Sequence, residues 1–342
     1  MKLTQIKMKK SKNRLFVVLL FPIFVILIQP ANAQFYEDIQ KIVATDGADD
    51  DLFGGSVSIS GNYAIVGAPG DDDNGSLSGS AYIYFYNGEE WEFETKLIGS
   101  DVGYEDYFGE AVSISGNYAV VGAAKDSENG NFAGCAYVFY NNGITWQEYD
   151  KLLASDGSAA DYFGCSVYIE GDRLIIGAGG DDCSGLNTGS IYVFDNIDGV
   201  WQEQAKLCTS DGGEIGSAIS LSGDYIIACS EYDDDNEINA GAAYIFFNNN
   251  GTWQEHSKIY ASDGDLEERF GCSVSISGDY AIIGAEGDHD DLYYYILRGS
   301  AYIFHNNGGV WQEQMKLIAS DWEAYDLFGC AVSIFDDYAI VG

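Results

Sequence analysis

Proline is almost missing from this chain: 3 residues in 342, of which only Pro69 lies beyond position 30. Polyproline linkers and collagen-like structure are thereby excluded, and almost nothing interrupts strand ladders. Positive charge is scarce as well. Sixteen Lys and Arg face 54 Asp and Glu, a net charge of −38. Such a chain repels phosphate, so nucleic acid and anionic lipid are poor partners. Histidine is limited to His256, His289 and His305. There is no H-E-x-x-H, no C-x-x-C and no G-x-S-x-G, so common zinc and serine-nucleophile signatures are absent. Seven cysteines are an odd number, so at least one thiol is unpaired within the chain. Cys165, Cys272 and Cys330 occupy one column of the repeat described below, where partners rarely touch. A disulfide framework is not expected, and most cysteines read as small buried residues.

One apolar run is present, residues 15–28, behind Lys2, Lys7, Lys9, Lys10, Lys12 and Arg14. At 14 residues it is short of the roughly 20 a spanning helix needs. Ala31-Asn32-Ala33 before Gln34 completes the pattern of a secretory signal peptide over 1–33, cleaved between Ala33 and Gln34. The mature chain, 34–342, then has no transmembrane segment and carries 10 basic against 54 acidic residues, a net −44. Its expected location is secreted or at the cell surface.

What the chain has in abundance is self-similarity. Phe-Gly recurs at Phe53, Phe108, Phe163, Phe270 and Phe328, with Ile215-Gly216 in the remaining slot. Trp91, Trp146, Trp201, Trp253 and Trp311 keep the same period of about 55 residues. Each unit offers four strands: A alternating, as Ser56 to Ser60; B apolar, as Tyr63 to Ala68; C aromatic, as Ser80 to Tyr86; D, as Trp91 to Ile98. Gly61-Asn62 and its equivalents join A to B, and Asn-Gly pairs join C to D, both hairpin turns. The pattern predicts an all-β fold: a β-propeller of four-stranded antiparallel blades. Units run over about 46–101, 101–156, 156–211, 211–263 and 263–321, with a split or truncated sixth at 321–342. An intact protein of six or seven blades follows. Residues 40–44 read as a strand D equivalent, and the stop in mid-motif favours a fragment of a longer protein. The long B–C and D–A loops share one face and hold most of the acidic residues, so one face of the disc is strongly negative.

Phe-Gly followed by a strand and Ile65-Val66-Gly67-Ala68-Pro69 resembles the FG-GAP repeat, the blade unit of integrin α-subunit propellers. S-G-N-Y or S-G-D-Y before the Gly-Ala segment is similar to secreted bacterial members. The resemblance covers 35–342 and recurs in register through Val121, Ile176, Ile227, Ile283 and Val341. It implies an extracellular propeller used for adhesion or ligand binding. The integrin-type calcium loop lies between strands A and B, where this chain has a two-residue turn, so that site does not carry over.

The B–C loops hold alternating acidic pairs: Asp71 with Asp73, Asp126 with Glu128, Asp233 with Asp235, Asp288 with Asp290. Asp46, Asp101 and Asp156 of the D–A loops lie on the same face. Calcium needs six to eight oxygens, and these loops could converge to supply them. No loop has the terminal bidentate acid of an EF-hand, and Asp-rich turns that bond their own backbone are the plain alternative. The Trp column reads as packing between blades before sugar stacking. The fifth unit carries an apolar insertion, with Tyr293, Tyr294 and Tyr295, which breaks the repeat and is the candidate ligand contact.

These features point to a binding or adhesion module that recognises a protein or glycan through its acidic loops, with possible calcium assistance. A propeller-scaffold enzyme acting on polysaccharide, using His289 and Asp290, is the first alternative, although no catalytic motif is present. A structural spacer is the second.

Overall fold

The computed structural model describes residues 4–7, 34–35, 40–290 and 293–342. Five sheets have four antiparallel strands each, in the order A-B-C-D. Blade 1 is Val57–Ser60, Tyr63–Ala68, Ser80–Tyr86 and Trp91–Leu97. Blade 2 is Val112–Ser115, Tyr118–Ala123, Cys135–Asn141 and Trp146–Leu152. Blade 3 is Phe163–Glu170, Arg173–Ala178, Ser190–Ile197 and Val200–Leu207. Blade 4 is Ile219–Ser222, Tyr225–Ser230, Ala242–Asn249 and Thr252–Ile259. Blade 5 is Phe270–Ser277, Tyr280–Ala285, Ser300–Asn306 and Trp311–Leu317, with an added hairpin of His289–Asp290 and Tyr293–Leu297. The partial sixth has Val332–Phe335 and Tyr338–Val341, beside which Thr4–Lys7 and Gln34–Phe35 pair in the places of strands C and D. The rest of the expected leader lies outside the described residues.

The turns follow their sequences. Gly61, Gly116, Gly171, Gly223 and Gly278 all take φ between 56° and 59°, the left-handed conformation a tight A–B hairpin demands. Every complete blade also has a bulge in strand D, as between Phe93 and Thr95 opposite Tyr84 and Ile83. The extra residue resets the alternation. It sets Lys96 opposite Tyr82, and likewise Lys151 opposite Tyr137, Lys206 opposite Tyr192, Lys258 opposite Tyr244 and Lys316 opposite Tyr302.

The cores lie between blades. Ile65, Ile83 and Leu97 of blade 1 pack on Phe108, Val112, Ile114 and Tyr137 of blade 2, all of them buried. Four equivalent clusters join the later pairs. Each fully buried Ile or Phe contributes about 1.5–3 kcal/mol. Serine hydroxyls stitch the inner strands: Ser58 accepts from the Ile114 N–H at 3.1 Å, and Ser113 from the Ile169 N–H at 3.1 Å. Trp146, Trp201 and Trp311 meet Tyr63, Tyr118 and Tyr225 of the preceding blade edge-on, with centroids 5.5, 5.5 and 5.7 Å apart. Those indoles are interblade packing residues.

Two expectations need correction. Residues 40–44 form no strand. Instead the Gln40 amide bonds both the N–H and the carbonyl of Trp91, at 2.7 and 2.8 Å, and Tyr84 donates to the Val43 carbonyl at 3.0 Å. The side chain does there what a backbone ladder does elsewhere. The disulfide expectation also fails, because Cys183 and Cys208 are bonded while the other five cysteines are free. These two lie in different columns of one unit, so the argument from equivalent columns never applied to them.

Candidate functional site: lysine-centred carboxylate cages

The acidic loops are interlocked rather than loosely solvated. The blade 1 B–C loop runs against the D–A loop that follows: Glu105 N–H donates to the Ser76 carbonyl, Tyr107 to Leu77 and Phe108 to Ser78, at 2.9, 3.1 and 2.9 Å. Positive φ at Leu77, Glu105 and Tyr107 brings the two loops into register. Gly79 makes the approach possible, since a Cβ there would lie 2.0 Å from the Phe108 carbonyl oxygen. The same pairing recurs between 131–133 and 160–163 and between 238–240 and 267–270.

This interlock gathers carboxylates from two loops, as the sequence suggests, and a lysine stands among them. Lys96 Nζ lies 3.0 Å from Asp46, 2.7 Å from Asp71 and 2.6 Å from Asp73. Lys151 meets Asp101, Asp126 and Glu128 at 2.7, 3.1 and 2.8 Å. Lys258 meets Asp211, Asp233 and Asp235 at 2.8, 2.6 and 2.7 Å. Lys206 has Asp156 and Asp181, both at 2.7 Å, and Lys316 has Asp263 at 2.8 Å and Asp288 at 2.6 Å. The tyrosine across the ladder donates to the same acids: Tyr82 to Asp46 and Asp71 at 2.9 Å, Tyr137 to Asp101 at 2.7 Å, Tyr192 to Asp156 and Asp181 at 2.7 Å. Its ring lies beneath the ammonium, with Nζ 4.9–5.3 Å from the centroid.

The acids are of two kinds. Asp71, Asp126, Asp181, Asp233 and Asp288 are buried and tie the cage to its strands. Asp71 also accepts from the Ser80 hydroxyl at 2.9 Å and from the Asp73 N–H at 3.0 Å. Asp73, Glu128 and Asp235 keep more than half of their side-chain surface in solvent. Burial pushes the Asp71 carboxyl up, but the Lys96 ammonium and the Asp73 N–H outweigh it, and the net shift is downward. Asp46, Asp101, Asp156, Asp211 and Asp263 are lowered by the same balance of desolvation against a lysine and a tyrosine. Desolvation opposes the charge on Lys96, Lys151, Lys258 and Lys316, yet their carboxylates raise all four above the ordinary lysine value.

The residues do not fit a resident calcium ion. A calcium site requires oxygens on all sides of a divalent centre. Here a tethered ammonium is already within 3.1 Å of each acid it contacts, including Asp71, Asp73, Asp126, Glu128, Asp233, Asp235 and Asp288. Seven of the positions expected as metal ligands, all but Asp290, are engaged in internal ion pairs. Asp290 lies on the short strand of the blade 5 hairpin, opposite Tyr293. Tyr293, Tyr294 and Tyr295 lie on the other strand of that hairpin. The lysine column, five residues after each strand D tryptophan, was the signal for these cages.

Blade 3 varies the theme. Cys183 stands where Asp73, Glu128 and Asp235 stand elsewhere, and its bond to Cys208 ties the B–C loop to the end of strand D. A covalent clasp replaces the third ion pair of Lys206. Beside it is a cleft of about 420 Å³, lined by Asp156, Asp161, Asp181, Asp182, Leu186 and Lys206, among others. His256 Nε2 donates to the Gly309 carbonyl, 2.6 Å away, and His305 packs on Tyr280 with centroids 4.5 Å apart. Both serve packing between or within blades.

Antiparallel four-stranded blades, packed face to face through shared cores, define a β-propeller with one acidic loop face. The chain belongs to the FG-GAP repeat family, whose profile matches residues 36–84, 91–139, 146–194, 201–246, 253–304 and 311–342. Among solved structures it is similar to a functionally unknown protein from Desulfotomaculum acetoxidans DSM 771, at 9% identity and a TM-score of 0.49. That match covers 75% of this chain and 67% of the other. No curated protein sequence matches. Among the described residues no helix is long and apolar enough to cross a membrane.

Proposed function

We propose that this protein is a secreted or cell-surface binding module that recognises a cationic polypeptide through its acidic loop face. The observation that carries this reading is how the charge is divided. Lys96, Lys151, Lys206, Lys258 and Lys316 are committed to the cages. Arg173 pairs with Asp195, Arg269 with Glu286, and Lys125 stands over the Tyr107 ring. The outer acids Asp73, Glu128 and Asp235 keep more than half of their side-chain surface in solvent, and loops of the same face carry exposed apolar tips, Tyr104 at 70%, Leu186 at 81% and Ile238 at 59%. An acidic surface with apolar anchors suits a basic protein segment. It suits a sulfated or uronate glycan poorly, and the strand D tryptophans are spent on packing. The basic and apolar start of the chain, ending in Ala31-Asn32-Ala33, supports export. The Tyr293–Leu297 strand extends the same face as a second contact.

The test is binding of the purified protein to immobilised basic, neutral and acidic polypeptides and to a glycan panel, over a salt series. Saturable binding to basic polypeptides is expected, weakening with salt. A triple variant, Asp73→Lys, Glu128→Lys and Asp235→Lys, should lose it. Three reversals on the opposite, A–B turn face should keep it. Glycan binding that survives the triple variant, with no polypeptide bound, would overturn the reading.

A further inference from the structure

In four D–A loops an aspartate closes the turn by accepting the N–H three residues earlier. Asp51 accepts from Ala48, Asp106 from Gly103, Asp161 from Ser158 and Asp326 from Glu323, each at 2.6 Å. The loop entering blade 5 has Glu268 in that column. Glu268 still takes the backbone hydrogen bond from Asp265, but its longer side chain leaves one oxygen over. Glu268 is 2% exposed, and its Oε2 has no hydrogen-bond partner. The charged and titratable groups that act on it are Asp263 from the same loop, Asp288 from the B–C loop, Tyr302 from strand C and Lys316 from strand D. Asp263 and Asp288 already share the single Lys316 ammonium. A third ionised carboxyl would add negative charge beside two that already share one ammonium.

Glu268 is also joined to the base of the added hairpin. Its carbonyl accepts from the Gly287 N–H at 3.0 Å, and the next residue, Asp288, accepts from Arg298 and Gly299 at 2.9 and 3.0 Å. Asp288 is therefore held from two sides, by Lys316 at its carboxylate and by the returning hairpin strand at its carbonyl. We propose that Glu268 is a proton-binding site that latches the blade 5 hairpin: neutral, it sits quietly in the Asp263–Asp288–Lys316 cage; ionised, it repels both aspartates, competes for Lys316 and loosens the hairpin base. Burial first, and then the Asp288 charge, push the Glu268 carboxyl up to about 8. With the folded value above the unfolded one, the favourable neutral state is present at low pH. It is lost as pH rises through the folded value. The switch therefore acts over the span from the ordinary value of 4.5 up to about 8.

Hydrogen exchange of the segment 286–299, corrected for intrinsic rates, tests this from about pH 6 to about pH 9.5. The wild type should lose at least about tenfold in protection between about pH 6 and pH 8 and level off above it, while Glu268→Gln stays flat. Equal slopes in the two proteins would overturn the proposal. Should Glu268→Gln fold poorly, carbon-13 titration of the glutamate carboxyls in the wild type decides. A glutamate titrating near 8 that disappears in Glu268→Asp supports the latch. Titration of every glutamate below about 6 sinks it.

Discussion

Lys258 places its ammonium 2.6 Å from the carboxylate of Asp233, an aspartate that is 8% exposed. A buried carboxylate of this kind is stable only with a matched partner, and the partner here belongs to the same blade. Because the strand D bulge and the tyrosine pairing recur, the arrangement recurs, and the acidic face is organised from within.

Removing the ammonium should cost far more than removing an outer acid. Lys151→Met leaves Asp101, Asp126 and Glu128 facing one another, and about 3–5 kcal/mol of stability is expected to go. Glu128→Gln touches an exposed pair and should cost about 1 kcal/mol or less. Urea denaturation of the two variants checks the order. Equal losses would mean that the lysine is not the centre of the cage.

The cages also set a pH window. The carboxyls of Asp46, Asp71, Asp101, Asp156, Asp211 and Asp263 are lowered below the model-compound value of 3.8. Their stabilisation is complete above that value and disappears as pH falls through the folded values beneath it. Lys96, Lys151, Lys258 and Lys316 are raised above 10.5, so their contribution is complete below 10.5 and is lost as pH climbs through the folded values. Chemical denaturation across the pH scale should show a steep loss below about pH 4 and a second in strong alkali, with the Glu268 decline between them. Stability that holds unchanged below about pH 4 would contradict this.

The first blade gives a paired test of the interblade cores. Ile59 is 67% exposed, while Ile114, its equivalent in blade 2, is 4% exposed against blade 1. Ile114→Asp should cost at least about 4 kcal/mol, and Ile59→Asp should stay within about 0.5 kcal/mol. Thermal unfolding of the two variants distinguishes them. A similar loss in both would show that another surface covers Ile59.

The blades were legible in the sequence because period, alternation and turn chemistry all agree, from Gly61-Asn62 to the Trp column. The convergence of the B–C and D–A acids was legible too, since meandering strands put both loops on one face. Lys96 and its equivalents were harder to place. A lysine near the end of an exposed strand reads as solvated, and only the bulge turns it inward over Tyr82. Cys183 and Cys208 occupy unrelated columns, so no repeat pattern announces their bond. Glu268 differs from Asp161 by one methylene, a change too small to announce in sequence that one of its carboxyl oxygens ends buried without a partner.

The central claim is that tethered lysines, and not metal ions, hold the acidic loops. Thermal unfolding in EDTA, repeated with calcium and with magnesium at matched ionic strength, tests it most directly. The account predicts midpoints that agree within about 1 °C under all three conditions, because no ligand binds the native state selectively. A saturable rise with calcium that magnesium does not reproduce would contradict it.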